Sequence, residues 1–332
     1  MKTIMLCESS ENVNYVYTDN MTQELSEYGF NGQIYSKKDI TDNPELSADT
    51  EYIFSTWGMP EFTEEEINRY LPNLKCVFYA AGSVQKFAHP FINCGVQVFS
   101  AWAANAVPVA EYTVAQIVLA NKGFYITSAI AKNKDYINAR HTFKQYRGNY
   151  GATIGIIGAG MIGKLVIEIL KAYNLKVKVF DPFLSDELAA ELGVEKVSLE
   201  EVFSSCAVVS NHLADNEQTK NMLNYNLFST MLPYATFLNT GRGAQVVEDD
   251  LIKCLEERPD IVAILDVTFP EPPLDDSKLY VLENCILTPH ISGSAGDEVH
   301  RMAEYMMDEF RNFIMNNPCK YEVTSEMLKT MA

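Results

Sequence analysis

With 332 residues the chain exceeds the usual span of one hydrophobic core, so two domains are expected. Apolar residues make up 47% and charged residues 21%, the proportions of a folded globular protein rather than a disordered one. The formal net charge of -18 repels phosphate backbones and anionic headgroups at long range, which argues against nucleic acid and membrane surfaces as partners.

A protein of this charge that takes an anionic substrate must concentrate positive charge locally, which singles out Arg242 in its glycine-rich stretch. In chain order, strands are expected at residues 2–7 (KTIMLC), 51–56 (EYIFST), 74–80 (LKCVFYA) and 96–100 (VQVFS). Thr63 and Glu66 form a capping box for the helix between the second and third of these. The opening MKTIMLCESS has too short an apolar run for a signal peptide. No stretch offers about 18 uninterrupted apolar residues, so no membrane span is expected. The seven cysteines form no CxxC pair, and most lie in apolar runs such as KCVFYA and NCILTP. They read as buried, reduced thiols of a cytoplasmic protein, with no metal site.

A long helix follows in NAVPVAEYTVAQIVLANKG, with Pro108 near its start and Gly123 at its end. It is apolar around much of its circumference, which suits burial against a domain or subunit partner. A second α/β series starts at 152–157 (ATIGII) and continues through KVKVFD, CAVVSNHL, ATFLNTG, IVAILDV and CILTPH. Its helices include GMIGKLVIEILKAY and SLEEVF, the latter capped by Ser198 and Glu201. A final helix is expected over 294–316. Alternating strands and helices predict an α/β fold with largely parallel sheets. No Pro/Gly/Ser-rich linker marks a border.

Strand ATIGII runs into Gly158-Ala-Gly160-Met161-Ile162-Gly163 and then a helix. In a dinucleotide site Gly158 permits the tight turn, Gly160 lets the backbone approach a pyrophosphate, and Gly163 lets helix and strand pack closely. The helix N-terminus then offers free N–H groups to the phosphates. Asp181 ends the next strand, 18 residues beyond Gly163, where a carboxylate accepts from ribose hydroxyls. The same charge repels a 2′-phosphate, so NAD is expected rather than NADP.

Three more strand ends carry polar residues in apolar settings: Asn239-Thr-Gly-Arg242-Gly243, Asp266-Val-Thr-Phe-Pro-Glu271-Pro272 and Thr288-Pro289-His290. Ligands of doubly wound sheets bind beyond such ends. A 2-oxo acid needs a cation for its carboxylate and carbonyl oxygen, which the planar fork of Arg242 supplies. Hydride arrival leaves charge on that oxygen, and His290 fits the need for a proton donor. A carboxylate beside an imidazole favours its charged form, so Glu271 keeps His290 protonated until delivery. Taken singly each has an ordinary explanation, as a loop cap, a solvated acid or a satisfied histidine; together they point to one reaction.

GAGMIG, FLNTGRGAQVVE, LDVTFPEP and LTPHISGS occur in the order and spacing of the D-2-hydroxyacid dehydrogenases, which the chain resembles over most of its length. The resemblance implies two doubly wound parallel-sheet domains, a Rossmann NAD domain (102–293) inserted into a flavodoxin-like substrate domain (1–101 and 294–332). It implies Arg242, Glu271 and His290 as the catalytic trio and a D-stereospecific reaction on a small 2-oxo or 2-hydroxy acid of the hydroxypyruvate/glycerate kind. Gly158, Gly160, Met161, Ile162, Gly163, Asp181, His212, Thr240 and Asp266 are the implied NAD contacts, with Asp266 on the nicotinamide carboxamide. The loop at Ala81, Gly82 and Ser83 is similar to the family's carboxylate-gripping loop, though any strand-to-helix turn would also use Gly82. A homodimer through the NAD domain is implied as well. Met161 stands where many members carry arginine, leaving the pyrophosphate to backbone donors. SNHLAD and YAAGSVQKF depart from the usual patterns, and Trp57 and Met59 fall near the expected substrate. Glu271 in place of glutamine argues against the formate dehydrogenases, and this length leaves no room for the appended regulatory domain of many phosphoglycerate dehydrogenases. The alternative from another class is an NAD(H)-sensing, corepressor-like binding protein on the same fold, since such proteins keep the trio.

Overall fold

The computed structural model describes residues 2–329. Its strands are β1 (Thr3–Leu6), β2 (Ile34–Tyr35), β3 (Tyr52–Ser55), β4 (Cys76–Tyr79), β5 (Gln97–Ser100), β6 (Tyr150–Ile157), β7 (Asn174–Phe180), β8 (Glu195–Lys196), β9 (Val208–Asn211), β10 (Thr236–Asn239), β11 (Val262–Leu265), β12 (Cys285–Leu287) and β13 (Glu322–Val323). They form two sheets, and the chain divides into two units, one of residues up to Asn105 with those from Ser294 onward, the other Ala106–Gly293.

In the first unit the strand order is β13-β5-β4-β3-β1-β2, parallel except for β13, which pairs antiparallel with β5. Strands covered on both faces read as continuous apolar runs, and β1, β3 and β4 are buried at every position. Because side chains alternate across a strand, Ile4, Ile53, Val77 and Val98 line one face. Met5, Phe54, Phe78 and Phe99 line the other, with Phe310 of the helix Val299–Ile314. Phe54, Phe78 and Phe99 sit opposite one another and stack at 5.0 Å between centroids, and Phe310 meets the first two edge-on. The Thr63–Glu66 capping box forms at the helix Glu64–Tyr70.

In the second unit the order is β12-β11-β10-β9-β6-β7-β8, all parallel. The chain runs outward from β6 to β8, then restarts at β9 on the other side of β6, which makes β6/β9 the topological switch point. Val209, Phe237 and Ala263 face Phe203, Phe228 and Leu251, while Ile154, Ile156, Leu238 and Ile264 face Val114, Ile117 and Val166. Across the ladder Ile157 lies opposite Asn211, Asn211 opposite Asn239, Asn239 opposite Leu265, and Leu265 opposite Leu287. The next residues, Gly158, His212, Thr240, Asp266 and Thr288, therefore leave the carboxyl edge in one row.

Three local features differ from expectation. The helix Trp102–Asn121 begins before Asn105, and Pro108 lies inside it rather than at its start. Proline has no N–H for the Ala104 carbonyl one turn back. Among the described residues this is the one helix long and apolar enough to cross a membrane; 50% of that stretch is buried inside the protein. Second, Ser198 accepts from the Glu201 N–H at the helix Leu199–Ser205, but the Glu201 carboxylate turns to Lys178 instead of closing a box. Third, the two-residue strands β2 and β8 and the antiparallel β13 carry too few residues for a periodic signal.

Candidate active site

Gly158 has φ +89, and a Cβ there would stand 2.9 Å from the His212 carbonyl oxygen, so only glycine makes this turn. A Cβ on Gly163 would stand 2.1 Å from the Gly158 carbonyl oxygen, which lets the helix Met161–Leu170 close onto β6. Gly160 differs: nothing lies within 4 Å of its would-be Cβ, and it begins that helix with no side-chain cap. The first-turn N–H groups, those of Met161 and Ile162 included, have no intrahelical acceptor. An open cradle ending in free N–H groups fits the pyrophosphate of NAD. The Met161 side chain is exposed and carries no charge to add.

Asp181, one residue past β7, accepts from the Ala159 N–H (2.7 Å) through Oδ2 and the Phe183 N–H (2.8 Å) through Oδ1. It thus fixes the glycine turn directly, and each oxygen keeps a lone pair for hydroxyl donors. His212 is buried between the hydroxyls of Ser210 (Nε2, 2.9 Å) and Thr240 (Nδ1, 3.4 Å), with Thr113 on the far side of Thr240 (3.3 Å). Burial pushes the His212 imidazole down to about 3, so this ring is neutral at physiological pH and brings no charge to a phosphate.

The Arg242 turn rests on a buried amide network. Asn239 Oδ1 accepts from Asn211 Nδ2 (3.0 Å) and the Gly241 N–H (3.1 Å), and its Nδ2 donates to the Arg242 carbonyl (3.1 Å). Gln245 Oε1 accepts from Asn211 Nδ2 and the Arg242 N–H, while its Nε2 donates to the carbonyls of Leu213 (2.8 Å) and Ala214 (2.9 Å). A Cβ on Gly243 would stand 1.9 Å from the Thr268 carbonyl carbon, so this turn lies directly on the segment leading to Glu271. The Arg242 guanidinium gives one N–H to the Gly241 carbonyl (2.8 Å) and none to a carboxylate among the described residues.

His290 Nδ1 meets Glu271 Oε1 at 2.8 Å, both side chains about half exposed (47% and 44%). No hydrogen bond joins Arg242 to either. Asp266, 1% exposed, accepts from the Thr288 hydroxyl (2.6 Å) and Ile291 N–H (2.8 Å) through Oδ1 and from the Ser292 N–H (2.9 Å) through Oδ2. In the first unit the expected carboxylate loop is only partly free. Ser100 Oγ shares its one hydrogen between the Ala81 and Gly82 carbonyls (2.9 and 2.6 Å), and the Ala81 N–H is spent on the Tyr79 carbonyl (2.9 Å). The Gly82 and Ser83 N–H groups have no protein acceptor among the described residues. Trp57 packs partly buried against the core, its carbonyl accepting from Asn12 Nδ2 (2.7 Å), and Met59 is buried.

Sequence reasoning missed Asn211, Gln245, Ser100 and Thr288 as supports of these loops. The available signal was a polar residue closing an apolar strand, at Ser100 and Asn211, where an unpaired polar group would be costly.

Residues 114–292 match the D-isomer specific 2-hydroxyacid dehydrogenase, NAD binding domain family. The Bacillus subtilis protein YoaD, named for the 2-hydroxyacid dehydrogenases, is 32% identical over 257 residues, covering 75% of this chain and 69% of its own. A D-3-phosphoglycerate dehydrogenase of Synechocystis is 29% identical over 231 residues, 69% of this chain but 41% of that enzyme, so the chain spans under half the length of such relatives. Among solved structures, Rhodotorula graminis D-mandelate dehydrogenase superposes with a TM-score of 0.81 at 19% identity, covering 98% of each chain. A phosphoglycerate oxidoreductase of Rhizobium etli gives 0.79 at 20% identity, over 98% of this chain and 99% of that one; both show the shared fold. The chain therefore belongs to the D-isomer-specific 2-hydroxyacid dehydrogenases, an enzyme family whose NAD-binding domain is formed here by residues 114–292.

Proposed function

We propose that the protein is an NAD-dependent D-2-hydroxyacid dehydrogenase interconverting a small 2-oxo acid of the hydroxypyruvate kind and its 2-hydroxy acid. The observation that carries this reading is the 2.8 Å pair of His290 and Glu271, on the next two strand ends beyond that of Arg242, an arginine with no carboxylate partner among the described residues. NAD(H), when bound, supplies or accepts the hydride. Arg242 holds the substrate carboxylate and carbonyl oxygen in its planar fork. Because Nδ1 of His290 is engaged by Glu271, Nε2 is the atom that gives the proton to the developing alkoxide and takes it back in the reverse direction.

The Met161 and Ile162 amides take the pyrophosphate, Asp181 the ribose, and the remaining lone pair of Asp266 Oδ2 the carboxamide, with His212 and Thr240 as neutral walls. Within the first unit, Gly82 and Ser83 offer amides suited to a carboxylate, while Ala81 shapes the turn. Phe124, Tyr136, Ile137 and Phe143 leave large apolar surfaces exposed within twenty residues, which supports a homodimer through the NAD domain. Seven free cysteines suit the cytoplasm.

The test is a panel of 2-oxo acids assayed by loss of NADH absorbance, with chain mass in solution measured alongside. Reduction of a small 2-oxo acid with NADH, and poorer use of NADPH, is the expected result. Tight NADH binding with no turnover of any member would replace this reading with the dinucleotide-sensing one.

A further inference from the structure

His290 is held not only by Glu271 but by Asp266 and by residues given no part in the reaction so far. Its φ of +55 is a left-handed conformation that side chains disfavour, so something must enforce it. The His290 N–H is shared between the carbonyls of Asp266 (3.1 Å) and Thr288 (3.0 Å), and the next two amides, of Ile291 and Ser292, donate to the Asp266 carboxylate. Asp266 is thus the post around which the His290 turn is wound.

What holds Asp266 follows from counting hydrogens. The Thr288 hydroxyl donates to Asp266 Oδ1 at 2.6 Å. A threonine hydroxyl has one hydrogen, so the 3.2 Å contact between Thr288 and Tyr112 must run from the Tyr112 O–H to Thr288 Oγ1. Two donors therefore point the same way, from Tyr112 to Thr288 and onto Asp266, an alignment in which each bond strengthens the next.

We propose that Tyr112 and Thr288 are positioning residues for the reaction: their hydroxyls, aligned toward Asp266 Oδ1, fix the left-handed turn that holds the His290 imidazole against Glu271. This rests on the proposed function for its kinetic consequence, but not for its structural one. Thr288→Val keeps the shape while leaving the Tyr112 hydroxyl without an acceptor and Asp266 Oδ1 short of a donor.

The experiment compares the parent chain with Thr288→Val, Thr288→Ser and Tyr112→Phe in two ways. In steady-state reduction, Thr288→Val is expected to lower kcat about 10-fold with NADH affinity within about three-fold, Tyr112→Phe about three-fold, and Thr288→Ser to return kcat close to the parent value. In ¹⁵N-histidine spectra, the His290 resonance, identified by its loss in His290→Gln, should change in Thr288→Val and persist in Thr288→Ser. Parental kcat and an unchanged His290 resonance in Thr288→Val, or a Ser variant as impaired as the Val one, would overturn the proposal. If the parent reduces no 2-oxo acid, the functional reading fails, while the spectra still decide whether Thr288 positions the ring.

Discussion

Oε1 of Glu271 stands 2.8 Å from Nδ1 of His290, a carboxylate brought to an imidazole across 19 residues by two neighbouring strand ends. Replacing Glu271 by glutamine removes the carboxylate that pairs with Nδ1 and orients the ring. Glu271→Gln is expected to lower kcat/KM for reduction about ten-fold or more, with NADH binding intact. His290→Ala should lose about 10² to 10⁴ in rate. A Glu271→Gln variant with the parental kcat/KM would reject the coupling.

Arg242 comes from a turn locked by Asn239, Asn211 and Gln245, and its guanidinium has no carboxylate partner among the described residues. Its charge is thus available, and its plane is oriented by the bond to Gly241. Arg242→Lys keeps the charge but loses the fork. A fall of about 100-fold in kcat/KM is expected, since two charge-assisted bonds are lost. A lysine variant within a few-fold of the parent would remove Arg242 from substrate capture.

How much of this was legible in the sequence depends on how local the cause is. The turn and packing roles of Gly158 and Gly163 were readable because each answers to a neighbouring backbone, whose close approach the structure supplies, whereas nothing lies within 4 Å of a would-be Cβ on Gly160. The Thr63–Glu66 box was equally local. The Ser198 cap was only half right because Lys178, distant in sequence, competes for the Glu201 carboxylate. Ala81 looked like a free amide, but its N–H returns to Tyr79, two residues back, in a turn the sequence does not specify. The network of Asn211, Asn239 and Gln245 joins two strand ends and a turn, so no spacing announces it. Tyr112 lies in a helix that is apolar around much of its circumference, so no pattern singles it out.

Asp181 carries two tasks, since its carboxylate fixes the glycine turn through Ala159 while remaining open to hydroxyl donors. Asp181→Ala is expected to raise the KM for NADH about ten-fold and to improve NADPH use relative to NADH, because the charge opposing a 2′-phosphate is gone. Cofactor preference is read from kcat/KM with each nucleotide. Equal use of both by the parent would sink the assignment.

His212 gives a prediction about stability that needs no substrate. Its ring is buried and held neutral, down to about 3, whereas in the unfolded chain it titrates near the ordinary 6.5. Above pH 6.5 both states are neutral and the full contribution of the buried ring is present. Between 6.5 and about 3 the unfolded chain binds a proton that the folded chain refuses, so stability falls as pH falls, by about 1.4 kcal/mol per pH unit. His212→Gln has no such proton to bind. At pH 7.5 it should melt below the parent, having lost well-placed bonds to Ser210 and Thr240. On moving to pH 5 the gap should narrow, by about 2 kcal/mol in unfolding free energy, because the carboxylates common to both chains cancel in the comparison. Thermal melts of the two proteins at both pH values, without cofactor, give the answer. A gap that stays constant would mean that His212 is not the buried neutral ring described here.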